Sequence, residues 1–508
     1  MKKIIALLMA FVLCMGLIGV VSVSADDFTP VLRYAVFSDI HIGMAGDYRC
    51  EKVTNAINYA YEVAKADAAY DKLDAVVIVG DIGEDGQDQQ WQAAKEVVTS
   101  NVNSEETALM VLMGNHEFNT DEETAKERFI DVFEDVNGGG NAEVLDGTMN
   151  CANVHYVING YHFIGFSPDV ITPWDHVYSD EKAAWVEEQL KIAEEDTGKD
   201  KPIFVFQHIG SLGTVIGTED DTSNLFREIY NKYPQLVSVS GHSHFPINSE
   251  TSIWQGEYTA IGTGAFKNAA MPHFDGVKVY LVDKDEYDID QFYIVEVDAE
   301  GRTRITMRDT SEKKQIGETY LIDSYNPADF IYNEKRLEDK PFRFSDDAKL
   351  EITDAIAHKV NFTFTPVKQD CLTATAYHVY IDDADGKTVF NQYVGWAFYD
   401  ESEEDLPVEF GGIIPGLKEG IVYTLTVEGV NSGYTELISE ASRVTENKLT
   451  TTFHLGELPE ESETSEESEI SQAEPESKKS ASSMIPWIIA IVAGLAAVFI
   501  VVIKKKKK

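Results

Sequence analysis

Short apolar runs alternate with stretches of helical period through the first part of the chain. Val31–Ser38, Asp74–Val79, Leu109–Met113, Pro202–Phe206 and Leu236–Ser240 read as strands with little polar interruption, the pattern of strands covered on both faces. Between them, Val53, Ile57, Tyr61 and Ala64 recur at helical spacing and predict a helix over about Lys52–Ala69. Further helices are expected at Gln90–Val98, Glu122–Phe133, Ser179–Glu195 and Asn224–Lys232. Ser179 is placed to cap its helix, and Asp180 and Glu181 suit the first turn. Val154–Ile158 and Tyr161–Phe166 flank Asn159-Gly160, a strong hairpin signal. The alternation predicts an α/β unit over residues 28–325 with a mixed sheet.

The period changes near Tyr325. Pro327, Pro341 and a charged stretch predict a linker over 326–347. Beyond it Tyr377-His378-Val379-Tyr380-Ile381 and Tyr423-Thr424-Leu425-Thr426-Val427 alternate at period two, which predicts a small all-β sandwich over 348–453. Residues 454–483 are Glu- and Ser-rich with few apolar side chains, the composition of a disordered stalk.

Both ends of the sequence carry address signals. Lys2 and Lys3, the apolar run Ile4–Val21 and the small residues Val23-Ser24-Ala25 read as a signal peptide over residues 1–25. Ile485–Ile503 is an uncharged apolar run of 19 residues, long enough to span a bilayer. The lysines 504–508 follow it directly and mark the cytoplasmic side. A single-pass cell-membrane protein is therefore expected, with a transmembrane helix over 484–503, its body outside and its tail in the cytoplasm.

Charge narrows the partners. The chain has 508 residues, with 87 acidic against 42 basic side chains and a formal charge of −45. Such a field repels a nucleic-acid polymer. A small phosphorylated substrate is still allowed, because bound metal can dominate the local charge. After the signal peptide three cysteines remain, Cys50, Cys151 and Cys371, too few for a disulfide framework.

The chemistry sits where strands stop. Five strands run into Asp39 and His41, Asp81, Asn115 and His116, His208, and His242 with His244. In an open α/β sheet ligands gather beyond the carboxyl ends of strands. Residues i and i+2 of an extended segment point the same way, so Asp39 and His41 can address one ion. His242 and His244 can share a cavity, or divide between two ions if the loop bends. These oxygen and nitrogen donors, without a thiolate, suit Mn, Fe, Zn or Ni. They are too many for one ion and enough for two that share a carboxylate.

In order, these blocks are Asp-x-His, Gly-Asp, Gly-Asn-His-Glu, a lone His and Gly-His-x-His. Together they resemble the calcineurin-like metallophosphoesterases. The resemblance covers about Val31–Met307 and implies a four-layer α-β-β-α sandwich. It implies one ion on Asp39, His41, Asp81 and His244, and a second on Asp81, Asn115, His208 and His242. His116 would be the catalytic histidine. Glu117 could orient His116 or cap its loop. The sandwich domain is similar to the end of a fibronectin type III domain through Leu417, Gly420, Tyr423 and Asn431-Ser432-Gly433, which suggests a spacer or binding module.

The expected function is hydrolysis of phosphate mono- or diesters. A hydroxide bridging two divalent ions would attack, and His116 would protonate the leaving group. The resemblance also leaves room for a 5′-nucleotidase or a cyclic-nucleotide phosphodiesterase. A surface adhesion protein with an inactive domain is the competing class. Asp-x-His in the first block departs from the purple acid phosphatase pattern, so a purple iron site is not expected. Arg49 and Lys267 could bind a phosphate, as could many solvated basic residues, and the sequence does not choose.

Overall fold

In the computed structural model the described residues are 28–455, apart from 147–152, 173–176, 219–224, 271–272, 275–279, 282–288, 357–358, 369, 396–407, 415–416, 436 and 440. The signal peptide, stalk and apolar C-terminal run expected from the sequence lie outside them. Among the described residues no helix is long and apolar enough to cross a membrane.

The chain opens with β1 (Pro30–Phe37), α1 (Tyr48–Ala66), β2 (Ala75–Val79), α2 (Asp88–Asn101), β3 (Ala108–Leu112) and α3 (Ala125–Phe133). It continues through β4 (Glu143–Asp146), β5 (Asn153–Ile158), β6 (Tyr161–Phe166), α4 (Asp180–Thr197), β7 (Ile203–Gln207), α5 (Leu225–Tyr230), β8 (Leu236–Ser240), β9 (Ile253–Gln255) and β10 (Thr259–Gly262). Two short strands follow, β11 (His273–Phe274) and β12 (Tyr280–Leu281), and then β13 (Gln291–Asp298), β14 (Thr303–Asp309) and β15 (Lys314–Ile322).

The strands form two sheets. One has the order β15-β14-β13-β1-β2-β3, and the other β4-β5-β6-β7-β8-β10-β9. β1, β2 and β3 are parallel, as are β6, β7, β8 and β10, and the added strands are antiparallel. Alternate side chains of β1 enter different layers. Tyr34 and Val36 join Phe163, Phe204 and Phe206 between the two sheets. Ala35 and Phe37 pack outward with Val53, Ile57 and Trp91 of the first helices. On the far side, Val186 and Leu190 of α4 and Phe226 of α5 cover Ile164, Val205 and Leu236. The layers are thus helix, sheet, sheet, helix. Each sheet is buried on both faces, which is why its strands read as continuous apolar runs. Tyr34 ties the sheets together, with its ring edge-on to Phe163 at 4.9 Å and Phe204 at 5.1 Å.

Local expectations hold at the turns. Ser179 caps α4 by accepting from the Lys182 amide at 3.2 Å. Asn159 and Gly160, between β5 and β6, both take positive φ, at 52° and 78°, as a two-residue hairpin requires.

The C-terminal part begins with a short helix, α6 (Glu334–Asp339), and the strands β16 (Leu350–Ile356), β17 (Lys359–Phe364), β18 (Ala376–Asp382), β19 (Thr388–Gly395), β20 (Val408–Ile413), β21 (Val422–Asn431), β22 (Leu437–Ile438), β23 (Arg443–Val444) and β24 (Leu449–His454). A three-stranded sheet, β16-β17-β20, shares one core with the sheet built on β19, β18 and β21. The stretch 326–347 is not a free linker. It carries α6, and its Leu337, Phe342 and Phe344 are buried in the sandwich core, an apolar triplet that the surrounding charge obscures in the sequence. Pairing reaches back into the α/β part: β11 runs beside β22 and β12 beside β19. His454, the first residue of the expected stalk, closes β24 opposite Val422.

Candidate metal centre

The seven expected ligands converge at the carboxyl ends of both sheets. β1 delivers Asp39 and His41, β2 Asp81, β3 Asn115, β7 His208, and β8 His242 and His244. Asp39, His41, Asp81 and His208 are buried. The i, i+2 geometry expected of Asp39 and His41 is not how they meet. Both take left-handed backbone angles, φ 53° and 44°, as do Asp81 at 50°, His242 at 71° and His244 at 56°. Five of the seven non-glycine residues with positive φ among the described residues are therefore at this site. Each costs of order 1 kcal/mol or more and persists only where the surroundings fix it. The strain turns each side chain inward just after its strand stops.

Among the described residues three groups of donors are close enough to hold an ion: two of them meet at Asp81, and the third is His41 with Glu84 and His116. In the first, the His244 Nε2 lies 3.1 Å from the Asp39 Oδ1. The His41 Nε2 lies 3.6 Å from the Asp81 Oδ2. In the second, the His208 Nε2 lies 3.3 Å from the same Asp81 oxygen. Asn115 offers its Oδ1 between the His208 Nε2, at 3.2 Å, and the His242 Nδ1, at 2.8 Å. The loop after β8 bends, so that His244 faces one set and His242 the other.

Two observations show that this donor set fits cations. The Nε2 atoms of His41 and His244 face each other at 3.2 Å. The buried Asp39 Oδ1 has three histidine Nε2 atoms around it, His244 at 3.1 Å and His41 and His208 at 3.9 Å each. Both arrangements bring nitrogen and oxygen donors around a common space, which suits a divalent ion. Protonation divides the donors. Burial works to lower His208, yet Asp81 and Asp39 take it up to about 10, and Asp39 raises His244 in the same sense, so His208 carries a proton that a cation would have to displace. Burial lowers His41 to about 3 against the pull of Asp81 and Asp39. Burial, with His208 beside it, takes His242 to about 4. Burial works to raise the Asp39 carboxyl, yet His244 and His208 bring it down to about 2. His41 and His242 are then neutral and Asp39 ionised near neutral pH, the forms that ligate metal.

Partners farther out orient the rings. The His208 Nδ1 contacts the Val79 carbonyl at 2.6 Å, and the His244 Nδ1 the Asn268 carbonyl at 3.0 Å, so each can turn its Nε2 to the centre. Two glycines permit the approach. A Cβ on Gly80 would stand 2.5 Å from the His208 ring, and one on Gly114 would collide with Asp81.

His116 sits at the rim. Its Nδ1 meets the Glu84 carbonyl at 2.6 Å, and its Nε2 faces the Asp81 Oδ2 at 3.9 Å. Glu117 does not touch its ring. The Glu117 carboxylate is fully buried and accepts four backbone N–H groups, from Asp81 at 3.1 Å, Ile82 and Gly83 at 3.0 Å each, and Gly114 at 2.7 Å. It is the cap of these loops. Burial and the Asp81 charge push it up to about 7, against the bonds from Gly83 and Gly114.

Sequence reasoning passed over Glu84. Its carboxylate faces the His41 Nδ1 at 4.0 Å and pairs with Arg49 at 2.5 Å and with Lys267. Its place three residues after Asp81 was the available signal. Arg49 and Lys267, undecided in the sequence, both stand at this rim.

The calcineurin-like phosphoesterase family matches residues 32–246. No curated protein matches the chain. Among solved structures, the chain is similar to GAP50, the anchor in the inner membrane complex of Plasmodium, at 12% identity and a TM-score of 0.37, covering 58% of this chain and 89% of that one. It is also similar to the purple acid phosphatase PPD1 from yellow lupin seeds, at 13% identity and a TM-score of 0.37. That likeness covers 57% of this chain and 53% of the lupin protein, so the chain spans about half of that protein's length. With its motif blocks in order and a family match that spans all of them, residues 32–246 of this chain form a calcineurin-like phosphoesterase domain, which supports a metal-dependent phosphoesterase.

Proposed function

We propose that the protein hydrolyses small phosphate mono- or diesters outside the cell, held at the membrane by its C-terminal apolar segment. One observation carries the catalytic reading: two donor sets share the buried Asp81, with His116 at their rim. Asp39, His41, Asp81 and His244 would hold one divalent ion, and Asp81, Asn115, His208 and His242 the other. Such ions supply an acidified water and positive charge for the phosphoryl oxygens. The protein's own residues do the rest. Asp81 joins the two sets, and its backbone is fixed by Glu117. His116 accepts orientation at its Nδ1 from the Glu84 carbonyl, so its Nε2 can deliver a proton to the departing alkoxide. The location is supported by the N-terminal signal pattern and by Ile485–Ile503 with its lysines. The sandwich, with a fibronectin III-like end, would serve as a spacer or binding module on an acidic stalk.

The test is phosphate release from a panel of esters with Mn, Fe, Zn and Ni supplied in turn. Activity that requires metal and disappears in Asp81→Ala is expected. A metal-loaded wild type with no activity on any ester would favour the adhesion-protein alternative.

A further inference from the structure

The loop that follows β10 is stitched to the metal donors. The Thr263 amide donates to the Ser240 carbonyl at 2.7 Å, the Phe266 amide to the Asp39 carbonyl at 3.0 Å, and the Ala270 amide to the His244 carbonyl at 2.8 Å. The Asn268 carbonyl lies 3.0 Å from the His244 Nδ1. His244 thus depends on this loop twice: for its left-handed backbone, φ 56°, and for the direction of its Nε2. Phe266 fixes the middle of the loop, buried in the α/β core with its ring 5.7 Å from that of Phe37. The two contacts to His244 lie beyond that anchor, at Asn268 and Ala270.

The sandwich grips this loop from both sides. The next strand after Ala270 is β11, which runs parallel to β22, with His273 opposite Leu437 and Phe274 opposite Ile438. Among the described residues β22 is the one strand that pairs with β11. Ile438 is itself buried with Ala376 and Val430 of the sandwich. Just before β22, Tyr434 packs against the cores of both parts of the molecule. Its hydroxyl donates to the Ile253 carbonyl of β9 at 3.0 Å. β9 pairs with β10, Ile253 opposite Ile261, and β10 runs directly into Thr263. Tyr434 therefore braces the strand pair that enters the loop, and Leu437 and Ile438 hold the strand that leaves it.

From this two-sided grip we propose that Tyr434, Leu437 and Ile438 are positioning residues of the metal centre: by fixing the loop that sets His244, the sandwich determines how tightly an ion is held on Asp39, His41, Asp81 and His244. The proposal rests on the two-ion reading of the site. None of the three residues is a metal ligand, and each acts through the loop. A carbonyl that orients a ligating imidazole commonly accounts for 10–100-fold in metal affinity. A left-handed, non-glycine backbone persists only while its surroundings hold it. Releasing the far end of the loop removes both supports from His244 together. The second ion responds less, because His208 takes its direction from the Val79 carbonyl at 2.6 Å and Asn115 stands at the end of β3, both outside this loop.

The experiment titrates the full chain, stripped of metal, with Mn2+ alone, followed by calorimetry and by the paramagnetic resonance of the coupled ion pair. Tyr434→Phe removes the bond to Ile253 and keeps the ring. Leu437→Pro, Ile438→Pro removes the β22 N–H groups from the seam with β11. Wild type should bind two ions. In the proline variant the Kd of one ion should rise about tenfold or more, the other should change less than about threefold, and the coupled signal should fade at Mn2+ levels that saturate wild type. Tyr434→Phe should raise the same Kd by about threefold. Leu449→Ala, which loosens the sandwich core on β24 away from the seam, should leave both constants unchanged. If the proline variant fails to fold, Tyr434→Phe against Leu449→Ala decides. Unchanged affinities in the seam variants overturn the proposal, as does an equal loss in Leu449→Ala, which would make the effect one of general stability. A wild type that binds two ions yet cleaves no phosphate ester defeats the phosphoesterase reading and leaves this proposal to the titrations. A wild type that binds no ion overturns both.

Discussion

The carboxylate of Glu117 lies beneath Asp81 and accepts its backbone N–H at 3.1 Å, so the residue that joins the two donor sets is held from below by a neighbour of the proposed proton donor. Glu117→Gln should expose this dependence. The amide replaces one acceptor oxygen by an NH2 group facing backbone N–H donors, and at least one buried N–H loses its partner. A loss of roughly 2–4 kcal/mol in stability is expected, read by urea unfolding of the metal-free protein. Metal affinity should fall about 10–100-fold, measured by equilibrium dialysis. The pH profile of kcat at saturating metal should keep its shape, because Glu117 does not touch the His116 ring. A shifted profile would return Glu117 to the role of orienting His116.

His116 is tested by its leaving groups. A proton donor matters most when the departing alkoxide is a strong base. His116→Ala should lower kcat by about 10²–10⁴-fold for an alkyl ester and far less for a nitrophenyl ester, whose anion leaves without help. Equal losses on both would assign His116 to binding or metal retention. The Nδ1 contact to the Glu84 carbonyl at 2.6 Å makes His116→Gln a poor substitute, since an amide has no donor and proton-accepting nitrogen at ring spacing.

How far the sequence carries this picture depends on the range of the interaction. The strands, the Asn159-Gly160 hairpin and the Ser179 cap follow from neighbours in the chain, and all are present. The candidate metal donors were legible because each stands beside a strand end with its own short motif. Their backbone was not: an alternating pattern implies extended geometry, whereas Asp39 and His41 are both left-handed. Glu117 was undecided because its partners Asp81, Ile82 and Gly83 are more than thirty residues away. Glu84, Arg49 and Lys267 likewise come together only when the first and last motif loops meet. The stretch 326–347 misled for the opposite reason, since its charges outnumber the three buried side chains that fix it to the sandwich.

That attachment predicts a coupling between the two parts. Glu250, six residues after His244 and buried, accepts from the Lys340 Nζ at 2.9 Å and the Thr373 amide at 3.2 Å. Nearby, the Tyr434 hydroxyl donates to the Ile253 carbonyl at 3.0 Å. Glu250→Ala leaves the Thr373 N–H and Lys340 without this acceptor, at a cost of about 1–3 kcal/mol. Glu250→Gln retains an acceptor and should cost less. Calorimetric melting should show the α/β part and the sandwich unfolding in one transition in wild type, with a lowered midpoint in Glu250→Ala. Two separate wild-type transitions would show that the sandwich is an independent module.

The last prediction concerns pH and a pair of histidines away from the metal centre. The His155 Nε2 meets the His162 Nδ1 at 2.8 Å, and its own Nδ1 meets the Gln189 Oε1 at 2.8 Å. The His162 Nε2 meets Asp196 at 3.0 Å, and Asp146 is the other nearby charge acting on His155. Burial takes His155 down to about 4 from its ordinary 6.5, against the hydrogen bond that its Nδ1 donates to the Gln189 Oε1. Between pH 6.5 and 4 the unfolded chain therefore binds a proton that the folded chain refuses. Stability falls as the pH falls through that window and is fully present above it. The shift corresponds to about 3 kcal/mol at most. His155→Asn removes the titrating group while keeping a polar side chain. Because metal-ligand histidines also titrate, the informative quantity is the difference between wild type and variant. The metal-free variant should show a shallower loss of unfolding free energy from pH 6.5 to 4, with the two curves parallel above pH 7. Parallel curves throughout would mean that the folded protein accommodates the charge on this pair, with Asp196 as its counter-ion.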